Sequence, residues 1–198
     1  MDQYTGQVKA IVGGRGEKKS SRSLNRATDS TRQPGSAFKI LSTYAPGLNE
    51  CGMTLATLIN DEPYNYTNGK PVRNWDGRYI GWTTTRYAIE HSMNVCAVRT
   101  LTETVGLEKG YEYLLNFGFT TLVDGTQEGY SGYTDIAQST ALGGITRGVY
   151  NIEMTAAYAS IANGGEYTEP ILYTEILDHD GNVLLDNTTP DTHQIIKE

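Results

Sequence analysis

Ser36 and Lys39 stand three residues apart, directly after Pro34-Gly35. Pro-Gly marks a turn, so Ser36 opens the helical segment that follows, with its hydroxyl at the positive end of the helix dipole. Residues three apart share one face of a helix, which places the Lys39 amine beside the Ser36 oxygen. A serine hydroxyl becomes a nucleophile when a base removes its proton, and a lysine with a lowered pKa can be that base. The pair therefore predicts acyl transfer through a covalent serine ester.

A second pair of polar residues, Ser92 and Asn94, lies further along the chain between two predicted helices. A serine in that connection can relay a proton between Lys39 and a leaving group, while the Asn94 amide can hold the lysine and a substrate peptide group. This second pair matters because a Ser-x-x-Lys match is weak by itself. Alone, it is more simply a serine that caps a helix and a lysine that extends into solvent.

Three predicted helices must position these residues. The first covers about 36–44 and ends at Pro46-Gly47, the second covers 83–90, and the third covers 94–105. Apolar residues at helical spacing support the third helix, and Gly106 ends it. Ser92 therefore lies in the short connection between the second and third helices.

The rest of the sequence combines more helices with few strands. Helices are also predicted over 54–60, 108–117, 135–142 and 151–162, a strand over 7–12, and a loop over 61–82. Residues 171–177 and 182–185, joined through Asp180-Gly181, are typical of a β-hairpin. This order favours an α+β fold that is mostly helical with a few sheet strands.

The aromatic residues ahead of Ser92 allow two interpretations. They could wall a peptide groove beside Ser92, or they could pack a long loop that has no other support. The residues concerned are Tyr64, Tyr66, Trp75, Tyr79 and Trp82.

Charge and cysteine content exclude several function classes. The net charge of −7 argues against a nucleic-acid partner, which needs a basic surface. With 3 histidines and 2 cysteines, none paired at ligand spacing, no metal site is predicted. Cys51 and Cys96 have apolar neighbours and are predicted to be buried thiols.

The chain shows no targeting segment of its own. No run of apolar residues approaches the roughly 20 that cross a bilayer, and no signal peptide follows Met1. We therefore expect either a cytosolic chain or a segment of a longer protein that carries its own targeting. Its 198 residues fit one ordinary domain or a large part of a bigger one.

Several short motifs occur in an order that is far more specific than any one of them. They are Asn25-Arg26-Ala27-Thr28, Arg32-Gln33-Pro34-Gly35-Ser36-Ala37-Phe38-Lys39, Asn74-Trp75-Asp76-Gly77 with Gly81, Ser92-Met93-Asn94-Val95, Ala141-Leu142-Gly143-Gly144, Gly148-Val149, Ala156-Ala157-Tyr158 and Ala162-Asn163-Gly164-Gly165. This series resembles the transpeptidase domain of class A penicillin-binding proteins over about residues 5–185. The resemblance implies the penicillin-binding and β-lactamase-like transpeptidase fold.

The resemblance also implies a bacterial cell-wall enzyme that cross-links peptidoglycan stem peptides through an acyl-enzyme at a D-Ala–D-Ala terminus. Ser36 would be the nucleophile, Lys39 the general base and Ser92 the proton shuttle, while Asn94 and Trp75 would bind substrate. The expected partners are stem peptides and β-lactam antibiotics, which acylate the same serine. No cofactor is implied, and the parent enzyme would act at the extracytoplasmic face of the cell membrane.

One departure from the family pattern is the absence of its Lys-Thr-Gly motif. In the family that strand grips the substrate carboxylate and supplies one oxyanion donor, the other being the backbone N–H of Ser36. We therefore expect residues 1–198 to be a partial transpeptidase domain without the C-terminal sheet strands, the glycosyltransferase domain and the membrane anchor. Such a chain is expected to be weak or inactive alone, and to meet the membrane only through that anchor.

Two alternatives share this fold, a β-lactamase and a β-lactam sensor or binding module. Glu112 and Asn116 fit the pattern of the loop that carries the deacylating glutamate in β-lactamases. We interpret them instead as solvated residues of a helix whose other face, with Tyr113, Leu114 and Phe117, packs inward. The middle motif Ser-Met-Asn and the flanking segments favour the penicillin-binding proteins.

Overall fold

The fold is that of a computed structural model, which describes residues 1–17 and 20–197. The chain divides into two compact units. The larger contains Gln33–Asn116 and Thr121–Gly148, and the smaller contains Met1–Arg32, Phe117–Thr120 and Val149–Glu198. All of the predicted site residues belong to the larger unit.

Helices make up much of the larger unit. They are a 3₁₀ turn Gly35–Ala37, a π-helical segment Lys39–Tyr44, α1 (Ala45–Glu50), α2 (Thr85–Glu90), α3 (Asn94–Thr100), a π-helical segment Leu101–Val105, α4 (Leu107–Asn116) and a 3₁₀ segment Gln138–Leu142. The helices predicted over 83–90, 94–105 and 108–117 are therefore confirmed. Thr84 caps α2, since its hydroxyl accepts a hydrogen bond from the Tyr87 N–H at 3.2 Å.

The helical stretch that carries Ser36 and Lys39 runs without a break from Gly35 to Glu50. The prediction that it ends at Pro46-Gly47 is wrong. Pro46 is the second residue of α1, which directly follows a π-helical turn, and lies inside this continuous helical stretch. The wider π-helical turn just before it is closed by the Ala45 N–H, which donates to the Ile40 carbonyl.

Short antiparallel ladders accompany these helices. The strands are β1 (Leu58–Asp61), β2 (Tyr64–Asn65), β3 (Pro71–Val72) and β4 (Gly81–Thr84), with β1 paired to β4 and β2 to β3. The helix predicted over 54–60 is wrong, because Thr57 closes a turn onto Thr54 and the next residues pair with β4, which buries Ile59. The loop predicted over 61–82 contains β2 and β3, where Val72 is buried.

The core of the larger unit surrounds α3. Four successive residues of α3, Val95 to Val98, are fully buried. They pack with other buried side chains, which are Tyr44, Met53, Ile59, Val72, Ala88, Met93, Leu101, Val105 and Ala141. The buried thiol predicted at Cys96 is confirmed, whereas Cys51 is half-buried. The helix that starts at Asn94 is thus held firmly along its length.

The smaller unit combines α5 (Asn151–Ala162) with short strands. These are β5 (Glu166–Thr168), β6 (Glu175–Leu177), β7 (Val183–Asp186) and β8 (Thr192–Gln194), with β5 antiparallel to β8 and β6 antiparallel to β7. The predicted helix over 151–162 and the predicted hairpin are confirmed. The strand predicted over 7–12 is wrong apart from one bridge between Gln7 and Ile171, since the residues from Lys9 to Val12 stay exposed.

Candidate active site

Ser36 lies in the middle of the 3₁₀ turn Gly35–Ala37 and is exposed. The turn packs directly on the backbone of Gly143, where an added Cβ would come within 2.4 Å of the Gly35 nitrogen. Gln33 ties the same two stretches together, because its side-chain amide both donates to the Ile145 carbonyl and accepts from the Ile145 N–H. The exposure of Ser36 leaves its hydroxyl accessible from solvent.

Lys39 follows Ser36 by one helical turn, yet only 3% of the residue is exposed. Its Nζ donates hydrogen bonds to Ser92 Oγ at 3.0 Å, to the Ser92 carbonyl at 2.5 Å and to Asn94 Oδ1 at 2.6 Å. Three acceptors match the three N–H donors of an ammonium group. The structure therefore brings together Lys39, Ser92 and Asn94, three residues that the sequence separates widely.

Burial lowers the pKa of Lys39 from 10.5 to about 8, because an ammonium group withdrawn from water loses hydration; the nearby Cys96 thiol opposes the change. At neutral pH about a tenth of Lys39 is then the neutral amine, against well under a thousandth of an exposed lysine. A neutral amine donates two hydrogen bonds and accepts one, so the Ser92 hydroxyl can turn from acceptor to donor. Lys39 can therefore gain and lose a proton without losing a partner.

Ser92 adopts a left-handed backbone conformation, with a φ of 50°. Its N–H donates to the Ile89 carbonyl at 3.0 Å, and the Met93 N–H donates to the Ala88 carbonyl at 2.9 Å. Together these bonds form a Schellman motif at the end of α2, in which Ser92 occupies the position that glycine usually takes. A side chain in this conformation costs roughly 1 kcal/mol. The motif presents both the carbonyl and the hydroxyl of Ser92 to Lys39.

Asn94 is the first residue of α3, and its side-chain amide is held on both sides. Oδ1 accepts the hydrogen bond from Lys39, and Nδ2 donates to the Arg73 carbonyl at 2.8 Å. Because an amide nitrogen carries two hydrogens, the second remains for another acceptor. A substrate carbonyl is one acceptor of the right kind.

A buried pair, Asp61 and Asn74, was not predicted as part of the site. Asn74 Oδ1 accepts hydrogen bonds from the backbone N–H groups of Asn94 at 2.9 Å and Val95 at 3.2 Å, and Nδ2 donates to Asp61 Oδ1 at 2.8 Å. One signal in the sequence could have revealed the pair. Met93, the residue before α3, offers no oxygen for an N-cap, so the first turn of α3 needs a cap from elsewhere in the chain.

Trp75 is 81% exposed and lies at the rim of a cavity of about 470 Å³. Ser92 lines the same cavity, together with Asp76, Glu90 and His91. The structure thus brings Trp75 and Ser92 to one cavity, whereas Ser36 and Lys39 are not among its lining residues. The ring of His91 packs edge-on against Tyr87, with 3.8 Å between the ring centroids.

The other aromatic residues of this stretch divide between packing and a different surface. Tyr64 and Tyr66 pack against the core of the larger unit, and the Arg99 guanidinium lies 4.8 Å from the ring centroid of Tyr64. Trp82 lines a separate cavity of about 200 Å³ on the ladder of β1 and β4. These aromatic residues therefore do not form one groove beside Ser92. Among them, Trp75 lines the cavity that Ser92 also lines.

Residues 1–17 and 20–197 contain neither a metal-binding cluster nor a membrane-spanning helix. No group of three His, Cys, Asp or Glu side chains in this part of the chain could hold a metal ion. No helix within it is long and apolar enough to cross a membrane.

Known proteins resemble this chain over almost its whole length. The family described as the penicillin binding protein transpeptidase domain matches residues 1–198. Penicillin-binding protein 1F of Bacillus subtilis is 38% identical over 187 residues, which make up 94% of this chain and 24% of that protein. The chain thus spans about a quarter of the length of the curated relatives it matches.

Solved structures show the same likeness in three dimensions. Penicillin-binding protein 1A from Haemophilus influenzae has a TM-score of 0.67 and 31% identity, over 85% of this chain and 24% of that one. PonA1 from Mycobacterium tuberculosis, solved in complex with penicillin V, has a TM-score of 0.81 over 100% of this chain and 50% of that one. At 24% identity the PonA1 likeness speaks for the fold. As its motif series predicted, the chain belongs to the penicillin-binding protein transpeptidase family, and its relatives are class A members.

Proposed function

We propose that this chain is part of a D,D-transpeptidase that cross-links peptidoglycan stem peptides through an acyl-enzyme on Ser36. The observation that carries the proposal is the buried amine of Lys39, one helical turn after Ser36 and hydrogen-bonded to both Ser92 and Asn94. Family membership supports the substrate class, since the relatives are named for penicillin binding and PonA1 was solved with penicillin V. The geometry and the family thus point to the same chemistry.

In the first step, neutral Lys39 takes the proton of the Ser36 hydroxyl while Ser36 Oγ attacks the carbonyl carbon between two terminal D-alanine residues. The bond from Oγ to that carbon forms, and the bond from the carbon to the nitrogen of the last D-alanine breaks. The departing nitrogen receives a proton from Lys39 through the Ser92 hydroxyl, which lies 3.0 Å from Nζ. The proton that Ser36 lost therefore leaves with D-alanine.

In the second step, an amine of a neighbouring stem peptide attacks the ester carbon. The amide bond forms, the bond from the carbon to Ser36 Oγ breaks, and the amine's proton returns to Ser36 through Ser92 and Lys39. A β-lactam acylates Ser36 in the same way as the first step, but its broken amide stays attached to the acyl group. The leaving nitrogen then remains in the site as part of the adduct.

Charge develops on the carbonyl oxygen in both steps, so the site needs N–H donors aimed at that oxygen. The backbone N–H of Ser36 belongs to the first turn of its helix, where such groups have no partner within the helix. We assign it one half of the oxyanion hole. The amide of Asn94 and the exposed ring of Trp75 would hold the substrate peptide.

A β-lactamase is the second candidate with this fold, and its deacylating glutamate would be Glu112. The predicted helix face is confirmed, since Tyr113 and Leu114 of α4 and the following Phe117 are buried while Glu112 and Asn116 are exposed. These observations favour a stable acyl-enzyme over rapid hydrolysis.

The test is mass spectrometry of the purified chain after incubation with excess penicillin. We expect an adduct of one drug molecule that maps to Ser36 and is lost in Ser36→Ala. Ser131→Ala, which removes an exposed serine of the same unit, is the matched control and should keep the adduct. An adduct that persists in Ser36→Ala would overturn the assignment of the nucleophile.

The rate of acylation depends on a motif that the 198 residues do not contain, the Lys-Thr-Gly strand of the family. We propose that these residues alone acylate slowly, and that a chain extended through this motif acylates much faster. Equal rates in the two chains would contradict this part of the proposal. We place the parent enzyme, through an anchor outside these residues, at the extracytoplasmic face of the bacterial membrane, where its stem peptides are.

A further inference from the structure

The side chain of Asn74 is unusual because its whole amide is engaged inside the protein. Oδ1 accepts from the N–H groups of Asn94 and Val95, while Nδ2 donates to Asp61 Oδ1 at 2.8 Å and to the Arg78 carbonyl at 2.9 Å. An amide has two donor hydrogens and two acceptor positions, so all four are used. Asn74 is buried, and no capacity is left for a substrate.

Asp61 fixes the other side of Asn74. Its carboxylate is completely buried and accepts from Asn74 Nδ2 through Oδ1 and from the Ile80 N–H at 3.0 Å through Oδ2. A buried carboxylate is stable only when hydrogen bonds satisfy it. Asp61 is the last residue of β1, and Ile80 directly precedes β4. The pairing of these two strands therefore fixes the position of the Asp61 carboxylate, and with it the position of the Asn74 side chain.

Asn74 in turn sets where α3 begins. The first N–H groups of a helix have no partner within the helix, and Met93 cannot supply one. Asn74 reaches them from twenty residues earlier in the chain, so it caps α3 and ties its first turn to the β1–β4 ladder. That first turn carries Asn94, whose Oδ1 accepts the hydrogen bond from Lys39.

We infer that Asn74 and Asp61 are a positioning pair for the acylation reaction, which they serve by fixing Asn94, and through it the amine of Lys39, without touching the substrate. The inference rests on the proposed function for its reaction, but its structural part can be tested separately. Asn74 acts by holding the start of α3, and Asp61 acts by holding Asn74.

A loosened α3 would change the surroundings of Lys39 in a definite direction. Asn94 and Ser92 cover the amine, and burial is the main cause of its lowered pKa. The titratable groups that bear on this pocket are the Cys96 thiol, which acts on Lys39, and Asp61 and Arg99, which act on Cys96. Because water would enter when the first turn of α3 shifts, the pKa of Lys39 should rise towards its ordinary value.

An exchange of the two side chains offers a strict test. In Asn74→Asp alone the new carboxylate still caps α3 but cannot donate to Asp61, so two carboxylates face each other without a shared hydrogen. In Asp61→Asn alone the amide oxygen at 61 can accept either from the Ile80 N–H or from Asn74, but not from both as the carboxylate does. Its NH₂ group then faces a donor instead of an acceptor. In the double variant Asp61→Asn/Asn74→Asp, the residue at 61 donates to the residue at 74 and still accepts from Ile80, but a carboxylate oxygen at 74 now faces the Arg78 carbonyl, and both only accept. The exchange should therefore restore most, not all, of the original arrangement.

The first measurement is the pKa of the Lys39 amine, followed by NMR in the parent chain and the variants. We expect the Lys39 pKa to lie near 8 in the parent, to rise in Asn74→Ala and in both single exchanges, and to fall most of the way back in the double variant. Asn68→Ala is the matched control, because Asn68 is exposed and caps only its local turn at Lys70. This titration does not depend on whether the chain acylates, so it remains decisive if the proposed function fails.

The second measurement is the rate at which penicillin acylates Ser36 in a chain that includes the Lys-Thr-Gly motif. Each single exchange should slow acylation by roughly tenfold, and the double variant should recover most of the loss. A pair with a merely structural role would lower the melting temperature and leave both the Lys39 pKa and the rate per folded molecule unchanged. That result, or single exchanges that the double variant does not rescue, would overturn the inference.

Discussion

Helices α3 and α5 begin in different ways. α5 has a side-chain cap from its own first turn, since Glu153 Oε2 accepts from the Tyr150 N–H at 3.1 Å, while the Ile152 N–H donates to the distant Ala27 carbonyl at 3.1 Å. The other oxygen of Glu153 accepts from the N–H and hydroxyl of Thr120, within the same unit. α3 has no such local cap and takes its hydrogen bonds from Asn74, twenty residues earlier.

The difference lies in the source of the side-chain cap, because the first turns of α2 and α5 also donate to distant backbone carbonyls. A side-chain cap from the helix's own first turn stabilises the helix without tying that side chain to another loop. A side-chain cap from a distant loop holds the start of the helix against that loop. The position of the loop then determines where the first residues of the helix lie. In this chain that start carries Asn94 and directly follows Ser92, the two partners of the Lys39 amine.

Replacement of Lys39, whose amine contacts Asn94 at the start of α3, should have the largest effect on the acylation rate. Lys39→Met keeps the length and apolar stem of the side chain but removes the base, so we expect acylation of Ser36 to slow by on the order of a thousandfold. Lys70→Met, at an exposed position, should acylate at the parent rate. Mass spectrometry of the penicillin adduct over time gives both rates, and a Lys39→Met rate near that of the parent would contradict the role of the base.

Ser92 allows the chemistry and the backbone strain to be separated. Ser92→Ala and Ser92→Gly both remove the hydroxyl, so each should slow acylation by about a hundredfold. Because glycine adopts a positive φ freely, Ser92→Gly should be the more stable of the two by about 1 kcal/mol in urea unfolding. Equal stability of the two variants would show that the left-handed conformation is not maintained.

Removal of the local cap of α5 should affect stability alone. Glu153→Ala leaves the N–H groups of Thr120 and Tyr150 without their acceptor, so the free energy of unfolding should fall by about 2 kcal/mol. The acylation rate per folded molecule should not change. Glu166→Ala, at an exposed position of the same unit, is the control for stability. A slower acylation in Glu153→Ala would remove the distinction between the two kinds of cap.

The smallest effect is expected at α2 of the larger unit, where the local side-chain cap at Thr84 is joined by two distant backbone acceptors, the Thr57 and Leu55 carbonyls. Thr84→Ala removes the acceptor for the Tyr87 N–H and should lower the free energy of unfolding by about 1 kcal/mol. Thr67→Ala, where the exposed side chain caps no helix, should change stability less. Thermal unfolding measures both, and a large loss of acylation in Thr84→Ala would show that a local cap also places the site.

Features that were predicted correctly depend on local sequence, whereas features that were missed depend on distant partners. The helix at 83–90 carries its own cap, and the helices at 94–105 and 151–162 show apolar residues at helical spacing, so all three were predicted correctly. The strands β1 to β5 and β8 were missed because each has four residues or fewer, too short for a clear alternation. Their pairing depends on partners elsewhere in the chain.

The site was predictable as a set of residues but not as an arrangement. Ser36 and Lys39 are one helical turn apart in sequence, so their proximity follows from the helix itself. The contacts of Lys39 with Ser92 and Asn94 span more than fifty residues, and the motif order indicated them through family resemblance. Asn74 and Asp61 were missed because a buried amide and a buried carboxylate show their role only when their partners are known.

The most direct test of the account is the pH dependence of penicillin acylation at Ser36, in a chain that includes the Lys-Thr-Gly motif. In the proposed mechanism the neutral amine of Lys39 is the active base, so the rate should rise with pH, pass its midpoint near the Lys39 pKa of about 8, and then level off. All of the adduct should map to Ser36. A rate that continues to rise towards the ordinary lysine pKa of 10.5, or an adduct on another residue, would contradict the claim that the buried Lys39 activates Ser36.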